Sequence, residues 1–436
     1  MDARNWAARN VAATLLAGSW TPPALAAGVD AVLGPGSRRV RAALVADLID
    51  LDGSAYLPAP GRLAAYLYES RHFTVPRPKQ IAACLDSPRF APAGPFAALA
   101  IPRLATLGAL ADWLGLSIEQ LDWLADEKRC HRRTTTPALQ HYHYAFAAKQ
   151  SGPPRLIEAP KPRLKAIQRR ILDEILAPVP VHGCAHGFVA GRSCLSGAQI
   201  HAGEVVVVTL DLAQFFPSLG LARIHGIFRS LGYPWSVARA LTGLCSTATP
   251  AAVFRHLPEL QRHDRMTQAL YGARHLPQGA PTSPALANLA AWQLDRRLHG
   301  LARAAAANYT RYADDLAFSG DADFAHDINC FRRNVEAIVV EEGFALNAAK
   351  TRIMRRSTRQ RITGIVVNEH CNIGRAEFDR LKAILHNCAR HGPAGQNRAA
   401  VPDFRRHLDG RVAWVEQINL RRGEKLRRIF DGISWD

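Results

Sequence analysis

The pattern of apolar and polar positions changes character along this chain. Up to about residue 130, apolar residues recur at helical spacing over 40–48, 63–68 and 104–114. Clusters at Pro22-Pro23, Gly34-Pro35-Gly36 and 58–61 separate these stretches, which predicts small packed helices. Another helical run opens at Pro162, a favourable first position, and sets Leu164, Ile167, Ile171, Leu172, Ile175 and Leu176 on one face. Residues 205–212, VVVVTLDL, form a continuous β-branched run of the kind found in a strand buried on both faces. NYTRYADDLAFSG, 308–320, reads as two strands joined by a tight turn with Asp314 and Asp315 at its tip. Between them lies a largely helical crossover, including the Pro- and Gly-dense loop LPQGAPTSP and an amphipathic helix through Leu298. A helix over 331–342, a strand over 361–368 and a helical tail from Arg375, with Phe404, Leu408, Val412 and Val415 on one face, complete the expectation.

Size and charge narrow the field. At 436 residues the chain exceeds one core's usual size, and its 48% hydrophobic content is ample for a packed interior. No apolar run is long enough to cross a bilayer, so no membrane role is expected. A net charge of +18 favours a polyanionic partner. Eight cysteines are scattered singly with no CxxC pair, which excludes a disulfide framework or zinc ribbon and fits a reducing, cytoplasmic setting. VAATLLAG near the start, with Arg4 and Arg9 ahead of it, has the outline of an export leader; its short, interrupted apolar run reads better as an amphipathic helix.

Basic residues gather in particular places. From Lys149 to Arg170 there are seven Lys/Arg against Glu158 alone, and Lys165, Arg169 and Arg170 lie opposite the apolar face of the helix from Pro162. A helix apolar on one side and basic on the other suits the wall of a nucleic-acid channel. HGFVAGRS, 186–193, is a glycine-flanked turn ending near Arg192, a residue type that grips phosphate or base. The cluster His182, Cys184, His186 and Cys194 matches no closed zinc spacing, and that reading is rejected. His72, Cys84 and Trp113 are given no chemistry.

The acidic residues are fewer and more telling. Asp211 ends the β-branched run, where a carboxylate is poorly placed for packing. Asp314 and Asp315 place two like charges side by side, a cost that a hard divalent cation reverses. A solvated Asp-Asp turn is the bland alternative. Only adjacent strands could unite Asp211 with the pair.

Taken in order, these blocks resemble those of reverse transcriptases, and specifically the bacterial retron type. VTLDLAQFFPSL resembles the palm block with the first catalytic aspartate, LPQGAPTSPALANL the loop supporting the templating base and incoming nucleotide, and YADD the catalytic hairpin. GFALNAAKT and RITGIVVN resemble the two blocks that follow. RITGIVVN is similar to the retron block containing VTG, with Ile362 in place of Val. The upstream Asn-Ala-x-x-His block appears as Gly197-Ala198-Gln199-Ile200-His201, without the Asn, and Gln214 stands where a second acidic residue is frequent.

The resemblance implies an α+β right-hand polymerase. Residues 1–130 would be a helical N-terminal region of unassigned role, 131–368 the fingers and an antiparallel palm, and 369–436 a helical thumb. It implies two Mg²⁺ ions held by Asp211, Asp314 and Asp315, with the Leu212 carbonyl as a further ligand. Lys149 and Arg155 would bind the nucleotide triphosphate. Phe216 would lie beneath the sugar and exclude a 2′-hydroxyl. Gln278 would contact nucleotide or template, with Gly279 allowing close approach, and Lys350 would be a proton donor to pyrophosphate or one of a basic row. Lys165, Arg169, Arg170, Arg192 and His201 are the expected RNA contacts. The partners implied are dNTPs, a structured noncoding RNA serving as template and primer, its branched RNA-linked DNA product, and an effector protein in antiphage defence. Rival readings are a group II intron-like or diversity-generating reverse transcriptase, a catalytically silent RNA-binding palm, and a nucleotide cyclase on a related palm.

Overall fold

The computed structural model describes residues 3–34, 36–50, 59–75, 89–127, 130, 134, 136–148, 154–255 and 264–435. They form two compact units, one from residues 1–179 and 219–286, the other from 180–218 and 287–436. Both are discontinuous in sequence.

In the first unit, helices Ala3–Ala17, Pro22–Leu33, Arg38–Asp50 and Pro60–Glu69 wrap a core that includes Val11, Leu15, Val29, Leu48, Leu63 and Phe73. Val11, Leu15 and Leu16 are thus core residues of a helix. Helix Leu107–Leu114 starts on a Thr106 side-chain cap and stops at Gly115, whose φ of 66° suits glycine; helix Ile118–Ala125 opens on a capping box of Ser117 and Gln120. Strands β1 (Tyr142–Ala147) and β2 (Arg155–Pro160) pair antiparallel, from Tyr142 opposite Pro160 to Ala147 opposite Arg155. The helix expected over 162–176 is regular only over Pro162–Ile171, then widens into a π-turn over Leu172–Leu176. Its buried residues are Leu164, Ile167, Gln168 and Ile171, while Lys165, Arg169 and Arg170 are exposed. Gln168 Nε2 donates to the Leu244 carbonyl at 2.8 Å and to Tyr142 Oη at 3.1 Å, joining this helix to helix Trp235–Cys245 and to β1.

The second unit is built on one four-stranded antiparallel sheet in the order β4-β5-β3-β6, with β3 spanning Val206–Asp211, β4 Asn308–Tyr312, β5 Asp315–Gly320 and β6 Arg352–Arg355. β3 is central, which explains its unbroken apolar run: it is buried on both faces and paired along both edges. Side chains alternate between the faces. Val207 and Ala317 share a core with Leu381, Leu385, Leu408 and Val412 from the C-terminal helices. From the other face Phe318 stacks on Tyr309, centroids 4.8 Å apart, and meets Phe331 of helix Ile328–Glu341. The tail supplies helices Arg375–His391, Phe404–Ile418 and Leu420–Asp431.

Two expected elements are corrected. RITGIVVN is not one strand but a tight hairpin, β7 (Arg361–Ile362) and β8 (Ile365–Val366), because Thr363 and Gly364 both take positive φ, 45° and 95°. The helix expected to run through Leu298 is two, Ser283–Ala290 and Trp292–Ala304, parted at Ala291.

Candidate active site

β3 and β5 are neighbours in antiparallel register, and the last pair of that ladder is Asp211 opposite Asp315. Residues distant in sequence are therefore a strand spacing apart. The β4–β5 turn sets Ala313 at a φ of 55°, and the Asp314 carbonyl accepts from the Leu212 N–H at 2.9 Å. Past Asp211 the chain stays pinned: the Asp211 carbonyl accepts from the Asn347 N–H at 2.8 Å, and the Ala213 N–H donates to the Ala345 carbonyl at 2.7 Å. Gln214, at a φ of 48°, then turns the chain into the short helix Phe215–Ser218.

The charges on this face are strongly coupled. Asp315 has its carboxyl pushed up to about 6, by desolvation against the packed palm and by the like charges of Asp314 and Asp211, although part of the residue stays open to solvent. Lys350 Nζ donates to Asp211 Oδ2 at 2.7 Å; the lysine side chain is 57% exposed and the aspartate 6%. That hydrogen bond holds the lysine above its ordinary range. The repulsion among Asp211, Asp314 and Asp315 is what a hard divalent ion would relieve, so the donor set fits such an ion.

Beneath the hairpin lies a polar network that inspection of the sequence missed. Arg311 is fully buried and forks onto Asp295, Nε to Oδ1 at 2.7 Å and Nη2 to Oδ2 at 2.6 Å. Its Nη1 donates to Asn288 Oδ1 at 3.0 Å and to the Ala313 carbonyl at 3.1 Å, and Tyr309 Oη donates to Asp295 Oδ1 at 2.9 Å. The network holds the turn from below. A signal was present: Tyr309 and Arg311 share one face of β4, and Asn288 and Asp295 stand seven residues apart, on one side of a helical stretch. Among the described residues His182, Cys184 and Asp295 are the three donor groups within 4.8 Å of one another. They do not fit a metal, because Arg311 and Tyr309 occupy both Asp295 oxygens and burial pushes the Cys184 thiol up.

The other expected site residues are scattered between the units. Lys149 lies outside the described residues. Arg155 is exposed at the start of β2, in the first unit. In that unit the Gln278 carbonyl accepts from the Glu158 N–H at 2.8 Å. Gly279, at a φ of 133° that L side chains rarely adopt, is tight for a Cβ, which would lie 3.1 Å from the Glu158 carbonyl oxygen. The close approach there is by the β2 backbone. Glu158 is itself fully buried, accepting from Thr249 Oγ1 at 2.6 Å and His275 Nε2 at 2.8 Å.

Several expected RNA contacts have other work in the structure. His201 is 0% exposed, with Nδ1 2.7 Å from Ser319 Oγ and Nε2 2.8 Å from Thr310 Oγ1; burial pushes it down to about 3, so it is a neutral tie to β4 and β5 and not a surface contact. Arg192 Nη1 donates to the carbonyls of His182, Gly183 and Ala185, clamping its own loop. Arg170 pairs with Glu174 at 2.9 Å and lies over the Trp113 ring.

A four-stranded antiparallel sheet thus sets Asp211 and Asp315 opposite each other on adjacent strands, with Asp314 in the adjoining turn, the arrangement of a palm-type site. The sequence profile of the family "Reverse transcriptase (RNA-dependent DNA polymerase)" matches residues 147–367. The chain is 44% identical over 294 residues to the retron Mx65 reverse transcriptase of Myxococcus xanthus, covering 66% of this chain and 64% of that protein. It is 36% identical over 337 residues to the retron Mx162 enzyme of the same organism, covering 74% and 66%, and 32% identical over 246 residues to the retron Ec86 enzyme of Escherichia coli, covering 56% and 68%. The chain thus spans just under two thirds of the length of the two Myxococcus proteins. It belongs to the reverse transcriptase family, and within that family to the retron type. No helix among the described residues is long and apolar enough to cross a membrane.

Proposed function

We propose that this chain is an RNA-directed DNA polymerase that copies a structured noncoding RNA, acting as template and primer, into branched RNA-linked DNA. The observation that carries the reading is the pairing of Asp211 with Asp315 across β3 and β5, with Asp314 in the adjoining turn.

Asp211, Asp314 and Asp315, with the Leu212 carbonyl, would hold two Mg²⁺ ions. When bound, such ions lower the pKa of an attacking hydroxyl and neutralise charge on a transferring phosphoryl group. The protein's own part is positioning. β3 and β5 hold the carboxylates at one strand spacing, and the buried Arg311–Asp295 pair keeps the turn from shifting under their repulsion. Lys350 balances Asp211, and its ammonium would be a proton donor to the leaving pyrophosphate. Phe216 would bar a 2′-hydroxyl. By the family resemblance Arg155 and Lys149 would hold the triphosphate, and Gln278 the nucleotide or template; Lys165 and Arg169 supply exposed positive charge for RNA. A retron role in antiphage defence with an effector protein follows from the same family reading.

Primer extension on an RNA template with dNTPs tests the polymerase, comparing wild type with Asp314→Asn and Asp315→Asn. Loss of synthesis is expected, by several orders of magnitude for Asp314→Asn; synthesis at the wild-type rate would overturn the reading. Sequencing of co-purified nucleic acid tests the branched product, which requires a 2′–5′ linked RNA–DNA junction.

A further inference from the structure

Phe188 is conspicuous on elementary grounds. Its side chain is 52% exposed and its φ is 60°, so it combines apolar surface in water with a backbone conformation that a bulky residue adopts only under constraint. Strain of this kind persists where the surroundings impose it, and it concentrates at functional sites.

The constraint is visible. The chain from Cys184 to Phe188 runs alongside β4: the Arg311 N–H donates to the Cys184 carbonyl at 2.8 Å and the His186 N–H to the Arg311 carbonyl at 2.7 Å. Asn288 Nδ2 donates to the Gly187 carbonyl at 2.9 Å. Gly187 is pressed onto the acidic turn, where a Cβ would lie 2.6 Å from the Ala313 nitrogen. The next residue, Phe188, is thereby held beside the acidic turn. Its ring centroid is 6.3 Å from that of Tyr312 and 6.4 Å from that of Phe216, within the range of aromatic pairs. Tyr312 leads directly into the turn carrying Asp314, and Phe216 follows Asp211 by five residues.

We propose that Phe188 is a substrate-contacting, specificity-determining residue. With Phe216 and Tyr312 it forms an aromatic wall against the sugar of the incoming deoxynucleotide, backing Phe216 so that a 2′-hydroxyl finds neither room nor a hydrogen-bond partner on the two phenylalanine rings. The inference rests on the polymerase reading above and adds a residue to it.

The test is steady-state primer extension with dNTPs and rNTPs for Phe188→Ala, Phe188→Leu and Phe188→Gly, alone and with Phe216→Ala, together with thermal unfolding of each variant. Phe188→Ala is expected to raise KM for dNTPs by about tenfold, the scale for losing one apolar contact in a substrate pocket. It should lower the preference for dNTPs over rNTPs by about tenfold. Phe188→Leu should fall between, and the effects of Phe188→Ala and Phe216→Ala on that preference should be non-additive. Phe188→Gly separates function from structure: glycine takes a positive φ freely, so this variant should unfold at the same or a higher temperature while showing the kinetic defect. KM and nucleotide preference within twofold of wild type in the alanine and glycine variants would overturn the proposal. So would a kinetic defect that merely tracks lost stability. A silent Phe188→Ala beside an inactive Asp314→Asn would sink this inference alone; an active Asp314→Asn would sink the polymerase reading beneath it.

Discussion

Lys350 and Asp211 meet at 2.7 Å, an exposed ammonium set on an almost buried carboxylate. The lysine holds Asp211 Oδ2, an oxygen that a bound cation would also draw on, so the two would compete. Lys350→Met should destabilise the metal-free protein by about 1–3 kcal/mol, because Asp211, 6% exposed, is left without its cationic partner. The same variant should show a larger rise in unfolding temperature on adding Mg²⁺ than wild type does. Thermal melts across a Mg²⁺ titration check both, and an equal or smaller rise would remove Lys350 as a competitor.

The carboxyl of Asp315, pushed up to about 6, makes stability depend on pH with a definite sign. The folded chain binds this proton more tightly than the unfolded chain, where an aspartate titrates near about 3.9. Its contribution is therefore complete below the unfolded value and is lost as pH rises through about 6. In metal-free buffer the wild type should lose stability relative to Asp315→Asn between about pH 4 and 6, and Mg²⁺ should restore it at pH 7. Parallel pH profiles for the two proteins would contradict the coupling.

Arg311 and Asp295 are both fully buried, so breaking the pair differs from replacing it. Arg311→Met alone should destabilise by about 3–5 kcal/mol, because Asp295 is left charged in the core. Arg311→Met with Asp295→Leu should recover much of that loss in denaturant unfolding. Activity should stay low in the double variant, since nothing then supports the Ala313 carbonyl at the turn.

The first unit holds a comparable pair. His275 presents Nε2 to Glu158 at 2.8 Å and Nδ1 to the Ala273 carbonyl at 2.8 Å, and both side chains are inaccessible. It joins β2, which starts with Arg155, to the segment entering the Gln278 loop. His275→Ala should cost about 3–5 kcal/mol in denaturant unfolding, and His275→Gln, which keeps a donor toward Glu158, distinctly less. Equal losses would show that an amide donor at this position does not replace the imidazole.

Local pattern settled a good deal about this protein. VVVVTLDL and NYTRYADDLAFSG were recognisable as strands because β-branched runs and a polar turn are local properties, and the blocks they carry were enough to indicate the family. The acidic pair at a turn was equally legible. Other features depended on partners far along the chain. RITGIVVN looked like one strand because its period hides two successive positive-φ residues. His201 looked like a surface contact until Ser319 and Thr310 were seen to take both its nitrogens. Arg311 passed unnoticed in a strand because its partners, Asn288 and Asp295, come from two helices. Sequence alone determined which residues bear charge and which segments pair as strands; tertiary structure decided which of those charges are buried and neutralised and which face an approaching substrate. The reason is physical: burial and electrostatic pairing are set by packing between segments, which no local pattern encodes.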